Sequence, residues 1–295
     1  MRVNPNPLAD ILAALAQTQQ QINIDLQETS TGQSVNVPSD NPAAAAELVR
    51  NAGQTAEADQ FQRSAGSIQG EIQSADSTLN SIITSLQRAI SLGVEGANGT
   101  LNSADRASIA TEVQGIQSQL LSLANLTYQG NYVFSGTATQ TAPYVLDATS
   151  PSGVTYQGNA GVNSVTLGNH FALQTNLPGS QVFSAPGNDM FQSIQDLITS
   201  LQSGSGIGTA VTEVNNAYSY INAQRVFYGN AENQLTAQET YLSSETTQLA
   251  QQQNTEGGAN MPSVISNLTN AETARQATLE AVGQTARTDL FDFLK

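Results

Sequence analysis

Apolar residues recur along most of this chain at alternating spacings of three and four, the period of a helix that buries one narrow stripe against a partner. In the first segment, Leu8 to Thr29, the positions are Leu8, Ile11, Leu15, Thr18 and Ile22, with Leu12 and Leu26 beside them. Pro5 and Pro7 keep the residues before this helix out of it. After the break Ser30-Thr31-Gly32, the turn Pro38-Ser39-Asp40-Asn41-Pro42 predicts a second helix from about Pro42, capped by Ser39 or Asp40. Ile68, Ile72, Ala75, Leu79, Ile82, Leu86 and Ala89 step down it toward Gly93. Ala97-Asn98-Gly99-Thr100 then turns the chain into a helix capped by Ser103 with Asp105, where Ile109, Val113, Ile116, Leu120 and Leu123 repeat the stepping. These two helices are predicted to form an antiparallel hairpin.

The period changes after Tyr128. From Gly130 to about Pro186, Gly, Pro, Asn and Thr separate short alternating runs such as Val154-Thr155-Tyr156, Ser164-Val165-Thr166-Leu167 and Phe171-Ala172-Leu173. They predict a small β-domain inserted between helices. Helical spacing returns in a short segment, Met190 to Leu201. Beyond the break Gly204 to Gly208, a long helix runs from about Thr209 to Gln253, with Val214, Ile221, Tyr228, Leu235, Leu242 and Leu249 one heptad apart. Its companion positions are apolar at Val211 and Tyr218 but polar at Arg225, Glu232 and Glu239, which predicts one packed face and one wet face. Gly257-Gly258 and Pro262 separate it from a last helix that carries Ile265, Leu268, Leu279 and Val282 and closes on Leu290-Phe291-Asp292-Phe293-Leu294.

Both terminal helices carry stripes that neither can bury alone. The expected fold is mainly α with a small β insert: an elongated antiparallel helical rod or coiled coil, with the N- and C-terminal helices paired and a central β-domain. Residues 1–40 with 258–295 read as a terminal coiled-coil assembly domain, 41–135 with 190–257 as a helical rod, and 136–189 as the inserted β-rich domain. The expected assembly interface is Leu8, Ile11, Leu15 and Ile22 on the first helix, with Ile265, Leu268, Leu279, Val282, Leu290, Phe291 and Leu294 on the last.

Composition narrows the function. The chain has 24 acidic and nine basic residues, a formal charge of −15, and no basic run, which argues against nucleic acid or an anionic membrane as partner. Cysteine is absent, so disulfides, thiolate nucleophiles and Cys-based metal sites are excluded. No stretch approaches the apolar length of a membrane span, and Met1 to Asp10 lacks the pattern of a Sec-type leader. A catalytic reading would rest on the single histidine, His170, in a Gly-Asn loop; no phosphate-binding glycine loop or metal-ligand spacing accompanies it, so neither cofactor nor metal is expected. Tyr132, Tyr144, Tyr156 and Phe171 could form a glycan-binding platform, although aromatic residues of a small β-domain are more often its core.

Two runs carry a resemblance. Ser30-Thr31-Gly32, Val35-Asn36-Val37-Pro38-Ser39-Asp40-Asn41-Pro42 and Ala43-Ala44 resemble the N-terminal signature of the flagellin superfamily. Leu86-Gln87-Arg88, Leu92, Ala97 to Thr100, Asp105-Arg106 and Ile109 to Glu112 are similar to its central helical hairpin. Within the superfamily, Gly130-Asn131-Tyr132-Val133-Phe134-Ser135-Gly136 with Thr141-Ala142-Pro143-Tyr144, and the tail from Leu290 to Leu294, resemble the hook–filament junction family. Phe293 stands where that family has Tyr, and Asn260-Met261 where it has acidic residues. The resemblance implies a non-enzymatic structural subunit of the bacterial flagellum, secreted unfolded through the flagellar type III apparatus with an export chaperone. It further implies self-association into a ring through the terminal helices, and contacts with another hook-associated protein and with flagellin outside the cell. Filament flagellin shares the first two motifs and is the alternative. Gln87, Arg88, Leu92 and Glu112 match positions that innate-immune receptors recognise in some flagellins.

Overall fold

A computed structural model describes the backbone of residues 7–168 and 171–293 and the side chains of 9–168 and 171–284. The elements run α1 (Pro7–Thr31), α2 (Pro42–Gly96), α3 (Ser103–Ala124), β1 (Thr127–Tyr128), β2 (Asn131–Tyr132), β3 (Tyr144–Leu146) and β4 (Val154–Tyr156). They continue β5 (Ser164–Leu167), β6 (Phe171–Gln174), α4 (Gly179–Val182), α5 (Met190–Ser203), α6 (Ile207–Gly257) and α7 (Met261–Phe293). The protein is thus mainly helical with a small β region.

Two compact units emerge, residues 1–57 with 244–295 and residues 58–243, and both α2 and α6 contribute to each. The three-part division expected from the sequence drew its lines where composition changes. Those lines fall between helices, whereas the two units part within α2 and α6, and the strands share a core with the helices around them.

In the unit of residues 58–243 the predicted stripes are buried: Ile72, Leu79, Ile82 and Leu86 on α2, Val113 and Leu120 on α3, and Val214, Ile221, Tyr228 and Leu235 on α6 all join one apolar cluster. Buried alanines, Ala65, Ala75 and Ala89 on α2 and Ala210, Ala217 and Ala231 on α6, lie between them and allow close helix approach. The polar companion positions on α6 are not simply wet. Arg225 donates from Nε and Nη2 to both oxygens of Asp76 on α2 at 2.8 Å each, and Glu232 accepts from Gln73 at 2.9 Å. α3 is capped not by Ser103 but by Asn102, whose Oδ1 accepts the N–H groups of Ala104 and Asp105 at 2.8 and 2.9 Å. Asp189 caps α5 in the same way through Gln192 N–H, and Gly204 ends it at φ 73°.

The strands form three antiparallel hairpins, β1–β2, β3–β4 and β5–β6, that do not join into one sheet. Strands of two to four residues cannot build a core alone, so the hairpins take one from the helices. Tyr144 shows how. It is 1% exposed, stacks at 4.9 Å on Phe191 of α5 and 6.0 Å from Phe183, and donates its hydroxyl to Gly179 O at 2.8 Å. Gly179 has no alternative there, since a Cβ would come within 3.0 Å of the Tyr144 ring and 2.9 Å of Phe134 O. Tyr144 is therefore core, with Tyr156 and Phe171 partly buried against the same cluster, and the glycan-platform expectation has no surface at Tyr144.

Candidate assembly interface

The unit formed by residues 1–57 and 244–295 holds the two terminal helices. α1 ends where Gly32 adopts φ 70°, its N–H reaching Glu28 O at 2.8 Å; a residue with a side chain would be strained in this left-handed cap. The next residues bind the other predicted break. Gln33 bridges antiparallel to Gly258, Ser34 N–H donates to Gly257 O at 2.8 Å, and Ala259 N–H donates to Gly32 O at 2.9 Å. At Gly257 an added Cβ would lie 2.9 Å from a Leu48 methyl, which would have to shift to admit it. The two segments read as helix breakers thus form one backbone clasp that aligns α1 with α7.

The turn before α2 is also specific. Asp40 Oδ2 accepts the N–H groups of Asn36 and Val37 at 2.9 Å each, so its carboxylate closes the loop behind it. The cap expected at Ser39 or Asp40 is supplied by Asn41, whose Oδ1 accepts Ala44 N–H at 3.1 Å. Asn260 Oδ1 plays the corresponding part for α7, accepting Ser263 N–H at 3.3 Å.

α1 and α7 pack on one another and run antiparallel, as Gln33 beside Gly258 and Gln19 bonded to Arg275 at 3.2 Å require. On α1 the inward positions are Ile11, Leu15, Thr18, Ile22, Asp25 and Thr29, of which Ile22 and Asp25 are buried and the rest half-buried. On α7 they are Val264, which is buried, and Leu268, Ala271, Thr278 and Val282, which are half-buried. Ile265 and Leu279, expected to face α1, are instead 52% and 50% exposed. The cause is helical phase: one residue is about 100° around the axis, and the seam passes through the smaller Val264, not its larger neighbour. Leu12 and Leu26 are also about half exposed, so both helices carry large apolar residues two heptads apart on a flank outside the seam. The Leu8, Leu290, Phe291 and Leu294 side chains lie outside the described residues, as does His170.

The seam is partly polar. Thr18 and Thr29 turn their hydroxyls back to Ala14 O and Asp25 O at 2.8 and 2.6 Å. Asp25, 2% exposed, accepts from Gln21 Nε2 at 2.9 Å through Oδ1, while its Oδ2 has no hydrogen-bond partner among the described residues. Glu28, one turn on, titrates above the usual carboxylate range, through burial first and then the negative charges of Asp25 and Asp40. Asp25 was legible in the sequence, because the stepping Leu15, Thr18, Ile22 continues to 25. It was overlooked because stripes are traced by apolar residues.

Among the described residues no group of three or more His, Cys, Asp or Glu can hold a metal ion, and no helix is long and apolar enough to cross a membrane. Of the receptor-like positions, Leu92 is buried, Arg88 is bonded to Glu112 at 2.9 and 2.6 Å, and Gln87 donates to Tyr218 at 3.2 Å.

Residues 4–139 match the bacterial flagellin N-terminal helical region. Flagellar hook-associated protein 3 of Escherichia coli is 39% identical over 119 residues, a match that spans 40% of this chain and 38% of that relative. The flagellar junction protein FlgL of Legionella pneumophila shares the fold with a TM-score of 0.61 at 15% identity, over 72% of this chain and all of the other. Bacillus cereus FlgL does so with a TM-score of 0.58 at 19% identity, over 70% of this chain and 99% of the other.

Proposed function

From a chain whose residues 4–139 match the flagellin N-terminal helical region, within a fold shared with FlgL junction proteins, we propose a structural subunit of the bacterial flagellum that joins hook to filament. The observation that carries this reading is the terminal helix pair. It lies in the unit of residues 1–57 with 244–295, has a largely half-buried seam, and leaves Leu12, Leu26, Ile265 and Leu279 facing outward, as an element that completes its packing on neighbouring copies would.

Energetics favour that use. Burying one Leu contributes about 1.5–3 kcal/mol, whereas ordering each residue costs about 1–2 kcal/mol. A half-buried seam therefore offsets only part of the ordering cost in a free subunit, and contacts with neighbours add the burial that it lacks. The seam of Leu8, Ile11, Leu15, Ile22, Leu268 and Val282, the outer flank, and Leu290, Phe291 and Leu294 form the interface in this scheme. Its partners are further copies in a ring, another hook-associated protein on the hook side and flagellin on the filament side. The subunit reaches that place outside the cell through the flagellar type III apparatus, held by an export chaperone, and its activity is mechanical, not enzymatic.

Electron microscopy of a strain deleted for this gene tests the proposal. Bare hooks, with flagellin shed into the medium, are expected. Hooks that carry junction proteins but no flagellin, with nothing filament-like shed, would overturn it in favour of a filament subunit.

A further inference from the structure

Asp25 occupies a seam position that the spacing of α1 reserves for an apolar side chain. The register set by Gln33 beside Gly258 and Gln19 beside Arg275 brings it level with about Leu268 on α7. Its carboxylate is shut off from solvent, yet only Oδ1 is hydrogen-bonded, to Gln21 of its own helix. The charged group that interacts with it, Glu28 one turn on, is acidic as well and supplies no donor. The basic side chains described in this unit are turned elsewhere, Arg50 to Glu47 and Arg275 to Gln19. A buried carboxylate oxygen without a donor destabilises the state that contains it, and an apolar residue of similar size would remove that cost.

We propose that Asp25 is the specificity residue of the terminal pair: it keeps α1 on α7 openable in the free subunit, and when the pair opens and repacks on assembly its Oδ2 takes a hydrogen-bond donor from an adjoining copy. The proposal rests on the assembly reading above and adds which residue makes the pair depend on neighbours. A single polar residue in a coiled-coil seam has this effect generally, lowering stability while selecting the partner that satisfies it. The unpaired oxygen lacks a donor, so the complementary group is an N–H or O–H donor, and not another carboxylate or an apolar side chain.

The test compares the full chain with Asp25→Leu and Asp25→Asn. Hydrogen exchange of the dilute subunit, read by mass spectrometry, should slow at least tenfold over α1 and α7 in Asp25→Leu, with α3 unchanged. In the deleted strain Asp25→Leu should restore at least tenfold fewer filaments than the parent chain. Asp25→Asn, which can still accept a donor, should stay within about twofold of it. Unchanged or faster exchange in Asp25→Leu overturns the proposal, as does slower exchange with full restoration of filaments. If the deleted strain does not show bare hooks with shed flagellin, the junction reading fails, and the exchange comparison alone decides whether Asp25 weakens the pair.

Discussion

The two units use the same seven-residue spacing to different ends. In residues 58–243 the stripes of α2, α3 and α6 meet, and a continuous cluster of Ile, Leu, Val and aromatic side chains fills the space between them. In residues 1–57 with 244–295 the buried apolar side chains among the described residues are Ile22, Ala44, Leu249 and Val264, and Asp25 and Asn51 are buried with them. Periodicity alone therefore does not make an independent core. What fills the stripe decides whether a helix pair stands by itself or waits for a partner. The first unit has the composition of a folded scaffold, the second that of a coupling element.

Substitutions can break this contrast from either side. The largest effect is expected from Leu15→Asp, which places a charge in the terminal seam: filaments should be lost from the complemented strain, while the urea midpoint of the purified subunit stays at the parent value. Normal motility would remove the seam from the assembly account. Next, Leu79→Ala, at a fully buried position, should destabilise the scaffold by about 2–5 kcal/mol in urea unfolding followed by circular dichroism. A change below about 0.5 kcal/mol would mean that the central cluster is not what stabilises that unit. Tyr144→Phe should cost about 0.5–1.5 kcal/mol in the same assay, because the buried hydroxyl bond to Gly179 O is lost while that carbonyl keeps the Phe183 N–H.

The smallest effect concerns an exposed group. Asp147 accepts hydrogen bonds from Thr149 and Thr155 side chains and from Thr149 N–H, which lower its pKa from the ordinary 3.8 to about 2. A carboxylate with a depressed folded-state pKa stabilises the fold fully above its unfolded value, and that contribution fades as pH falls through the folded one. The β3–β4 hairpin should therefore loosen between about pH 4 and pH 2, and Asp147→Asn should abolish this dependence. A carboxyl titration by NMR centred at 3.8 would show that the hydroxyl contacts do not persist in solution.

Much of the helical architecture could be read from the sequence, because large apolar residues at fixed spacing mark a stripe without ambiguity: Ile72, Leu79 and Leu86 on α2 and Val214, Ile221 and Leu235 on α6 lie buried where the pattern puts them. Helix starts were less legible. Asn41 and Asn102, not their Ser and Asp neighbours, supply the capping oxygens, and several residue types in one turn can serve equally until the loop geometry selects one. The clasp between Gly32 and Ala259 was hidden for a different reason, since a backbone bridge depends on conformation and leaves no side-chain pattern. The seam of α7 was misphased by one residue because Ile265 outweighs Val264 in apolar bulk, although only the latter faces α1.

The central claim is that the terminal pair depends on neighbours while the scaffold does not. Hydrogen exchange of the dilute parent chain tests it most directly. The account predicts rapid exchange across α1 and α7, alongside strong protection over residues 68–92 of α2 and over α3. Equal protection of α1, α7 and the scaffold in the isolated subunit would contradict it.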